Sequence, residues 1–471
     1  MPPPESCDLL VIGAGPGGYP AAFRAAELGL SVTLVDPEAD PGGVCLYRGC
    51  VPSKALLHVA DFLHQVEQAP VWGVTLGKPA IDVNRLREWK QEVVIQMTRG
   101  LGQIVRARKI RYVRGLAKLL DPHTARITPN EGAPFDQPFG QAIVATGSQP
   151  ALIPGAPASP NIMSSSEALD PTDVPPRLLV IGGGYIGIEL GQVYASLGSR
   201  VTLVEMMPAI LPEADRELVR HLEKRLRAQM EAVLTGTKVK SMAVTPEGIR
   251  VELEGASAGD GLFDKVLVAV GRKPLTREVG LEKTAARITP GGFVEVDGQR
   301  RTAEPSIFAV GDITGEPMLA HKATHEGRVA AEAAAGKKTV FEPAAIPFVV
   351  FSDPEIAWCG LTRTRAEREG RKVKVTSFPW SASGRAATLS RPDGMTQLLS
   401  DPASGRILGI GLAGHGAGEL LAEGVLAMEM GAVADDLALT IHTHPTLSET
   451  LMEAAEAFSG SSTHYLGMRK G

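Results

Sequence analysis

The sequence predicts an α/β protein with two Rossmann-like units in series and a C-terminal α/β module of different character. Three observations predict it. LLVIGAGPGG runs an apolar strand (Leu9 to Ile12) straight into Gly13, Gly15 and Gly18, and RLLVIGGGYIGIELG repeats the arrangement with Gly182, Gly184 and Gly187. Each copy continues through a helix into a second apolar strand that ends in an acid. These acids are Asp36 and Glu205, each 23 residues past the first glycine of its copy. From about Ile346 no such pattern returns. One glycine fingerprint is a weak signal, whereas two with the same strand, helix, strand and acid are a strong one.

The 471 residues suit three or four domains. With 52 glycines and only 5% aromatic residues, the chain is suited to many tight strand-to-helix turns. A net charge of −5 gives no global attraction to nucleic acid or to an anionic membrane. The basic run Arg106-Ala-Arg108-Lys109-Ile-Arg111 reads as a solvated face. No apolar run reaches membrane-spanning length, and MPPPESCDLL lacks the charged and apolar regions of a leader. The expectation is a cytoplasmic chain with no nucleic-acid partner and no membrane span.

In the first unit a helix over Pro20 to Leu28 follows the glycine turn, with Pro20 an oddity near its start. The glycines let a pyrophosphate approach the helix N-terminus, and a terminal acid can hold ribose hydroxyls. Two such units bind two dinucleotides, or one twice over. AIVATGSQP, with Thr146 and Gly147, is a further strand before the proline-rich connector PALIPGAP. DKVLVAVGRKP repeats that strand-then-glycine pattern at Gly271. RTAEPSIFAVGD then delivers Asp312, and an alanine-rich helix follows with Leu319 and Ala320 at its head. These breaks divide the chain into residues 1–149, 150–276, 277–345 and 346–471. In the last part, strand-like segments (VVFSDPEIAWCG, MTQLLSD, RILGIGLAG) precede two helical ones, GELLAEGVLAMEM and DLALTIHTHPTLSETLMEAAEAF. This part reads as an interface domain.

The chemistry centres on Cys45 and Cys50, in GGVCLYRGCVPSK after Gly43. Their spacing matches no common zinc site, and no metal is expected. An isolated pair behind a dinucleotide site suggests a dithiol that exchanges electrons with a cofactor. In an ideal helix residues five apart have Cα atoms about 8–9 Å from each other, whereas a disulfide needs about 4.4–6.8 Å. Gly49 and Pro52 are placed to bend the backbone. Cys7 and Cys359 stand alone in apolar strands as inert thiols. Thiol exchange needs a proton carrier. His444 in HTHPTLSE, with Glu449 near enough to orient it, is one candidate. His442 is an equal rival, because a two-residue offset on an extended segment turns both to the same face.

GAGPGG, GGVCLYRGCVPSK, GGGYIGIELG, FAVGD, MLAHKA, DPEIAWCGLT and HTHPTLSE together resemble the pyridine nucleotide–disulfide oxidoreductases, in the branch that oxidises dihydrolipoamide. The similarity runs from about residue 6 to about residue 467. The departures, Val44-Cys45-Leu46-Tyr47 and Asp36, remove no reacting group. The resemblance implies one tightly bound FAD per subunit, held by Gly13, Gly15, Gly18, Asp36, Gly43, Thr146, Gly147, Asp312, Leu319 and Ala320. It implies that Cys50 lies against the flavin while Cys45 exchanges with substrate, and that Lys54 sits by the flavin and pairs with Glu189. Tyr185 would cover the flavin face. Gly182, Gly184, Gly187, Glu205 and Gly271 would bind NAD. His444, held by Glu449, would serve the cysteines of the other subunit in an obligate homodimer. The substrate would be a lipoyl group on another protein, in a 2-oxo acid dehydrogenase complex or the glycine cleavage system.

The residues add a discrimination of their own. Glu205 accepts a free 2′-hydroxyl and repels a 2′-phosphate, and no arginine follows it before Arg216, so NAD is expected over NADP. HYLGMRKG carries no cysteine pair, which argues against relay chemistry at that end. Two rivals remain at this point: an NAD-linked reductase of another small disulfide, using the same thiols, and a flavin-bearing sensor of the NAD pool.

Overall fold

The computed structural model describes residues 6–466, so the last residues of HYLGMRKG and the first of MPPPESCDLL lie outside it. The first unit is built from β1 (Cys7–Ile12), α1 (Gly18–Glu27), β2 (Val32–Asp36), α2 (Gly43–Arg48), α3 (Cys50–Gln68), α4 (Val83–Ala107), β3 (Arg111–Asp121), β4 (Thr124–Pro129) and β5 (Phe135–Val144). β1 is buried on both faces except at Asp8, which suits a central strand. It pairs in parallel with β2 on one side and β5 on the other. β3 extends the parallel sheet beside β2 and then turns back through β4 to β5 as an antiparallel meander. The far edge is closed by Ile307–Ala309, a strand that returns from much later in the chain to lie parallel to β5.

The second unit repeats this plan. Its central strand, Arg177–Ile181, lies between Arg200–Val204 and Lys265–Val268, with Ala232–Leu234 and Ile162–Met163 outside them, all parallel. Three antiparallel strands spanning Thr237–Phe263 replace the meander. A short ladder between Ser148–Pro150 and Arg272–Pro274 joins the ends of the two units. The third sheet is wholly antiparallel, in the order Phe348–Val350, Glu355–Gly360, Ile407–Gly414, Met395–Ser400, Lys374–Pro379. Helices Ala417–Glu429 and Glu449–Ser459 pack on it. Two Rossmann-like sheets and an antiparallel C-terminal module are the fold class that the glycine repeats predict. Among the described residues no helix is long and apolar enough to cross a membrane.

Two local readings change and one is refined. The first helix starts at Gly18 rather than Pro20, which places Pro20 in the first turn. The first four N–H groups of a helix have no internal acceptor, so the missing one costs little there. The basic run is a solvated face, as expected, with Arg106, Lys109 and Arg111 exposed, but two of its members also have partners: Arg108 reaches Glu27 Oε1 at 2.6 Å and lies over the Phe23 ring, and Arg111 donates to Gln137. The last helical segment is broken. Helix Ala434–Leu439 stops where Thr440 Oγ1 bonds back to the Asp436 carbonyl, and no helix resumes before Glu449. Pro445, with no N–H to donate, lies in that gap.

The glycine turns owe their tightness to one contact made twice. A Cβ at Gly18 would lie 1.8 Å from the Gly13 carbonyl oxygen, and at Gly187 2.0 Å from that of Gly182. The helix thus packs down on the end of its own strand. At Gly184 nothing lies within 4 Å of the added atom. Gly18→Ala is therefore expected to cost about 1–3 kcal/mol by forcing the helix off the strand, while Gly184→Ala should change stability by less than about 1 kcal/mol. Urea unfolding of the two variants checks this, and equal losses would contradict it.

Candidate active site

α2 and α3 are one helical path interrupted at Gly49, where φ is −147° and ψ is −115°. A Cβ on Gly49 would sit 3.1 Å from the Cys45 Cα and 2.9 Å from the Val44 carbonyl oxygen. Only glycine lets the chain fold back this closely, and the fold-back brings Cys50 against Cys45. Pro52 falls in the first turn of α3, where it is tolerated. Both cysteines are free thiols. They are unequal ones. The Cys45 thiol is bonded to Cys50 and is pushed far up by that bond and by burial. Cys50 is lowered to about 7 by the same bond and, against the cost of burial, by the Lys54 ammonium. Both shifts favour a thiolate on Cys50 over one on Cys45. Cys7 and Cys359 are buried, and burial raises both thiols, Cys359 to about 12.

Lys54 lies one turn along α3 from Cys50. Its Nζ donates to Glu189 Oε2 at 2.9 Å, and Glu189 is 3% exposed. Glu189 belongs to the helix of the second unit, Tyr185–Leu197, so this ion pair crosses between units.

Cys45, Cys50 and Lys54 stand at one end of a cleft of about 740 Å³, at the large end of the 300–1,000 Å³ typical of ligand sites. Its other end holds Gly13, Gly15, Gly17 and Asp36. Gly43, which packs on Gly15, lines the cleft too, as do Thr146, Gly147, Asp312, Ala320, Tyr185 and Glu189. Of the residues implied for this site, Gly18 and Leu319 do not line it. Gly18 is a packing residue, and Met318 lines the wall beside Ala320 where Leu319 caps the helix. Asp36 is buried, and its carboxylate accepts the Ala14 N–H at 2.7 Å and the Glu38 N–H at 3.0 Å. Burial raises its pKa despite these bonds. Each oxygen keeps a lone pair for a hydroxyl. A helix N-terminus, a carboxylate and a long cleft ending at a dithiol fit an extended dinucleotide.

The second unit shows the same device. Glu205 accepts the Gly183 N–H at 2.6 Å and the Met207 N–H at 2.7 Å. Gly182, Gly184, Gly187 and Gly271 gather at this second turn, outside the large cleft. Arg216, the first arginine after Glu205, is held by Glu223 and by the Ile210 carbonyl.

The two histidines that spacing left equal are separated by their partners. His442 places Nδ1 on the Thr440 carbonyl and Nε2 on Glu423 Oε1, each at 2.8 Å, and its side chain is 5% exposed. Both nitrogens are engaged. His444 places only Nδ1, 2.8 Å from Glu449 Oε1, and its side chain is 72% exposed. Glu449 is held in turn by the Thr446 N–H at 2.7 Å. The segment is a loop, so the two rings do not share a face. Among the described residues none beyond Ala323 lines the large cleft, so within one chain His444 and Glu449 do not meet the cysteines there.

Sequence reading missed several supporting groups. Arg272 donates to Ser148 Oγ and to the Ser148 carbonyl, and Ser148 Oγ donates to Asp312. The signal was present: Ser148 and Arg272 follow Gly147 and Gly271 in the repeated strand-then-glycine pattern. Glu326, fully buried, accepts the Gly311 N–H at 2.7 Å and pairs with Arg300 and Lys322. It fixes the turn that presents Asp312.

Comparison with known proteins gives two family matches. Residues 7–327 match the pyridine nucleotide-disulphide oxidoreductase model, and residues 346–455 match the dimerisation domain of the same family. A dihydrolipoyl dehydrogenase of Vibrio parahaemolyticus is 46% identical over 97% of this chain and 96% of its own. One of Thermus scotoductus is 46% identical over 98% and 99%. The crystal structure of LpdA from Mycobacterium tuberculosis shares the fold, with a TM-score of 0.89 at 24% identity over 96% of this chain and 99% of that one. The chain belongs to the pyridine nucleotide–disulphide oxidoreductases.

Proposed function

We propose that this chain oxidises protein-bound dihydrolipoamide and reduces NAD+, as an FAD-dependent homodimer serving a 2-oxo acid dehydrogenase complex or glycine cleavage. The observation that carries the reading is the unequal dithiol at the end of a dinucleotide-sized cleft. The dihydrolipoyl dehydrogenase relatives, similar over nearly the whole chain, supply the substrate. FAD, bound along Gly13, Gly15, Asp36 and Asp312, supplies a two-electron carrier between the dithiol and NAD+. In the oxidised enzyme Cys45 and Cys50 form a disulfide. A lipoyl thiolate attacks the Cys45 sulfur, and Cys50 leaves as the thiolate that Lys54 stabilises. The second lipoyl thiol closes the lipoyl disulfide and releases Cys45. His444, steered by Glu449 through Nδ1, takes the substrate thiol proton at Nε2. Glu205 receives the adenosine ribose of NAD, and Tyr185 stands over the site where nicotinamide docks.

The dimer follows from what one chain lacks. The cleft holds no proton carrier from the C-terminal module, and His444 is exposed. Around it Leu426, Met430, Leu439 and Ile441 are between 63% and 97% exposed. Burying this apolar face against a second copy removes it from water and brings His444 of that copy to the cysteines.

Three outcomes are expected. Cys50→Ser should abolish the long-wavelength thiolate–flavin absorbance of the reduced enzyme, whereas Cys45→Ser should keep NADH-to-flavin transfer and lose lipoamide turnover. A Cys50→Ser enzyme with the band intact would remove Cys50 from this role. Catalytic efficiency should be far lower with NADP+ than with NAD+, because Glu205 faces the 2′-position without a free cation nearby. Steady-state kinetics with both decides, and equal values would refute the assignment. His444→Ala should slow turnover by about 10²- to 10⁴-fold with flavin content unchanged, and His442→Ala should lower stability more than rate. Mixing Cys45→Ser with His444→Ala chains should restore activity toward about a quarter of wild type, since half of randomly formed dimers carry one intact site of two. No recovery despite verified subunit exchange would place both groups on one chain.

A further inference from the structure

Phe351 lies just beyond the strand Phe348–Val350, in the C-terminal module, and reaches the cysteine end of the cleft from behind. Its backbone N–H donates to Glu189 Oε1 at 3.0 Å, and its ring carries Lys54 Nζ 4.4 Å from the centroid. Glu189 Oε2 completes the clamp on the same ammonium. Behind this trio is a second cavity of about 320 Å³, lined by both Phe351 and Lys54. Lys54 therefore borders both spaces, and the ring backs it on the rear side.

We infer that Phe351 is a positioning residue for the redox centre, whose aromatic face, together with Glu189, fixes the Lys54 ammonium in place beside the cysteine pair. This rests on the reading of Cys50 as the thiolate that meets the flavin. The charges of the rear cavity already have partners. Asp353 is occupied by Arg391 and Arg225, and His64 lies beside it. Asp61 is likewise held by Arg391 and Gln65, and Glu355 accepts the Gly418 N–H, while His58 and His415 complete the wall, so no acid of that cavity is free to replace the ring as a partner for the ammonium. On the forward side Cys50 meets Cys45, Lys54 and Glu189, with Tyr185 and Tyr19 in its field. Lys54 is the one cation among these. A ring face is negative and attracts an ammonium, whereas an aliphatic side chain of similar bulk does not. Removing the ring leaves Nζ with Glu189 as its ionic anchor, so the ammonium samples positions away from the sulfurs, its mean field at Cys50 weakens and the thiolate becomes harder to form.

The test uses the full-length holoenzyme in a Cys45→Ser background, which leaves Cys50 as the thiol of the cleft. The thiolate–flavin absorbance is titrated across neutral pH. In parallel, alkylation of Cys50 by iodoacetamide, followed by mass spectrometry, reads the same ionisation without the flavin band. Phe351→Leu should raise the Cys50 midpoint by about half a unit to one unit in both readouts, and Phe351→Tyr, which keeps the ring, should titrate with the parent. A Leu variant that titrates with the parent overturns the inference, as does a Tyr variant that shifts as far as Leu. Loss of flavin from the Leu variant with an unchanged alkylation profile also overturns it. If the parent itself lacks the long-wavelength band, the flavin reading falls, and the alkylation profiles still decide the role of Phe351.

Discussion

The Lys54–Glu189 ion pair is where the parts of this molecule meet. Lys54 comes from the helix that begins at Cys50, Glu189 from the helix of the second glycine unit, and the Phe351 N–H that holds Glu189 from the C-terminal module. A carboxylate as buried as Glu189 is tolerable only when its oxygens are satisfied, and here an ammonium and an N–H do this from two directions. Removing the ammonium would leave the buried Glu189 carboxylate without its counter-charge. In addition to the hydrogen bond from Cys45, the same ammonium lowers the Cys50 thiol beside it. Packing between units and thiol chemistry thus depend on one side chain, and the relative placement of the units is part of the redox chemistry.

The two acids that close the glycine units show a second economy. Asp36 and Glu205 each accept an N–H from the residue after the first glycine of their own turn, Ala14 and Gly183. The acid at the end of one strand therefore fixes the loop at the end of its neighbour. A site organised this way does not have to be ordered by its ligand, so less conformational entropy opposes binding.

Features set by local sterics were readable from sequence. The glycine turns are legible because a helix cannot sit on the end of its strand with a side chain at Gly18 or Gly187, and the cysteine turn because Gly49 must pass beside Cys45. What could not be read depends on partners far along the chain. His442 and His444 differ because Glu423, 19 residues before His442, reaches one ring and leaves the other with a free nitrogen. Phe351 meets Glu189 across 162 residues, and no periodicity carries that information. The final helical stretch was misjudged for the opposite reason. Its apolar spacing is right on both sides of the break, but Thr440 and Pro445 decide where the helix stops.

The strand Ile307–Ala309 gives the molecule an order of assembly. It is the edge strand of the first sheet, yet the ribosome makes it only after the whole second unit. Domains generally fold in the order they are synthesised. Here the first sheet waits with the outer edge of β5 unpaired while its younger neighbour, uninterrupted in sequence, can close around its own central strand. Asp312 follows three residues after that late strand, so this carboxylate joins the wall of the cleft only when more than three hundred residues have been made. The wall of the cleft is complete only once the elements from Ile307 to Ala323 have been made.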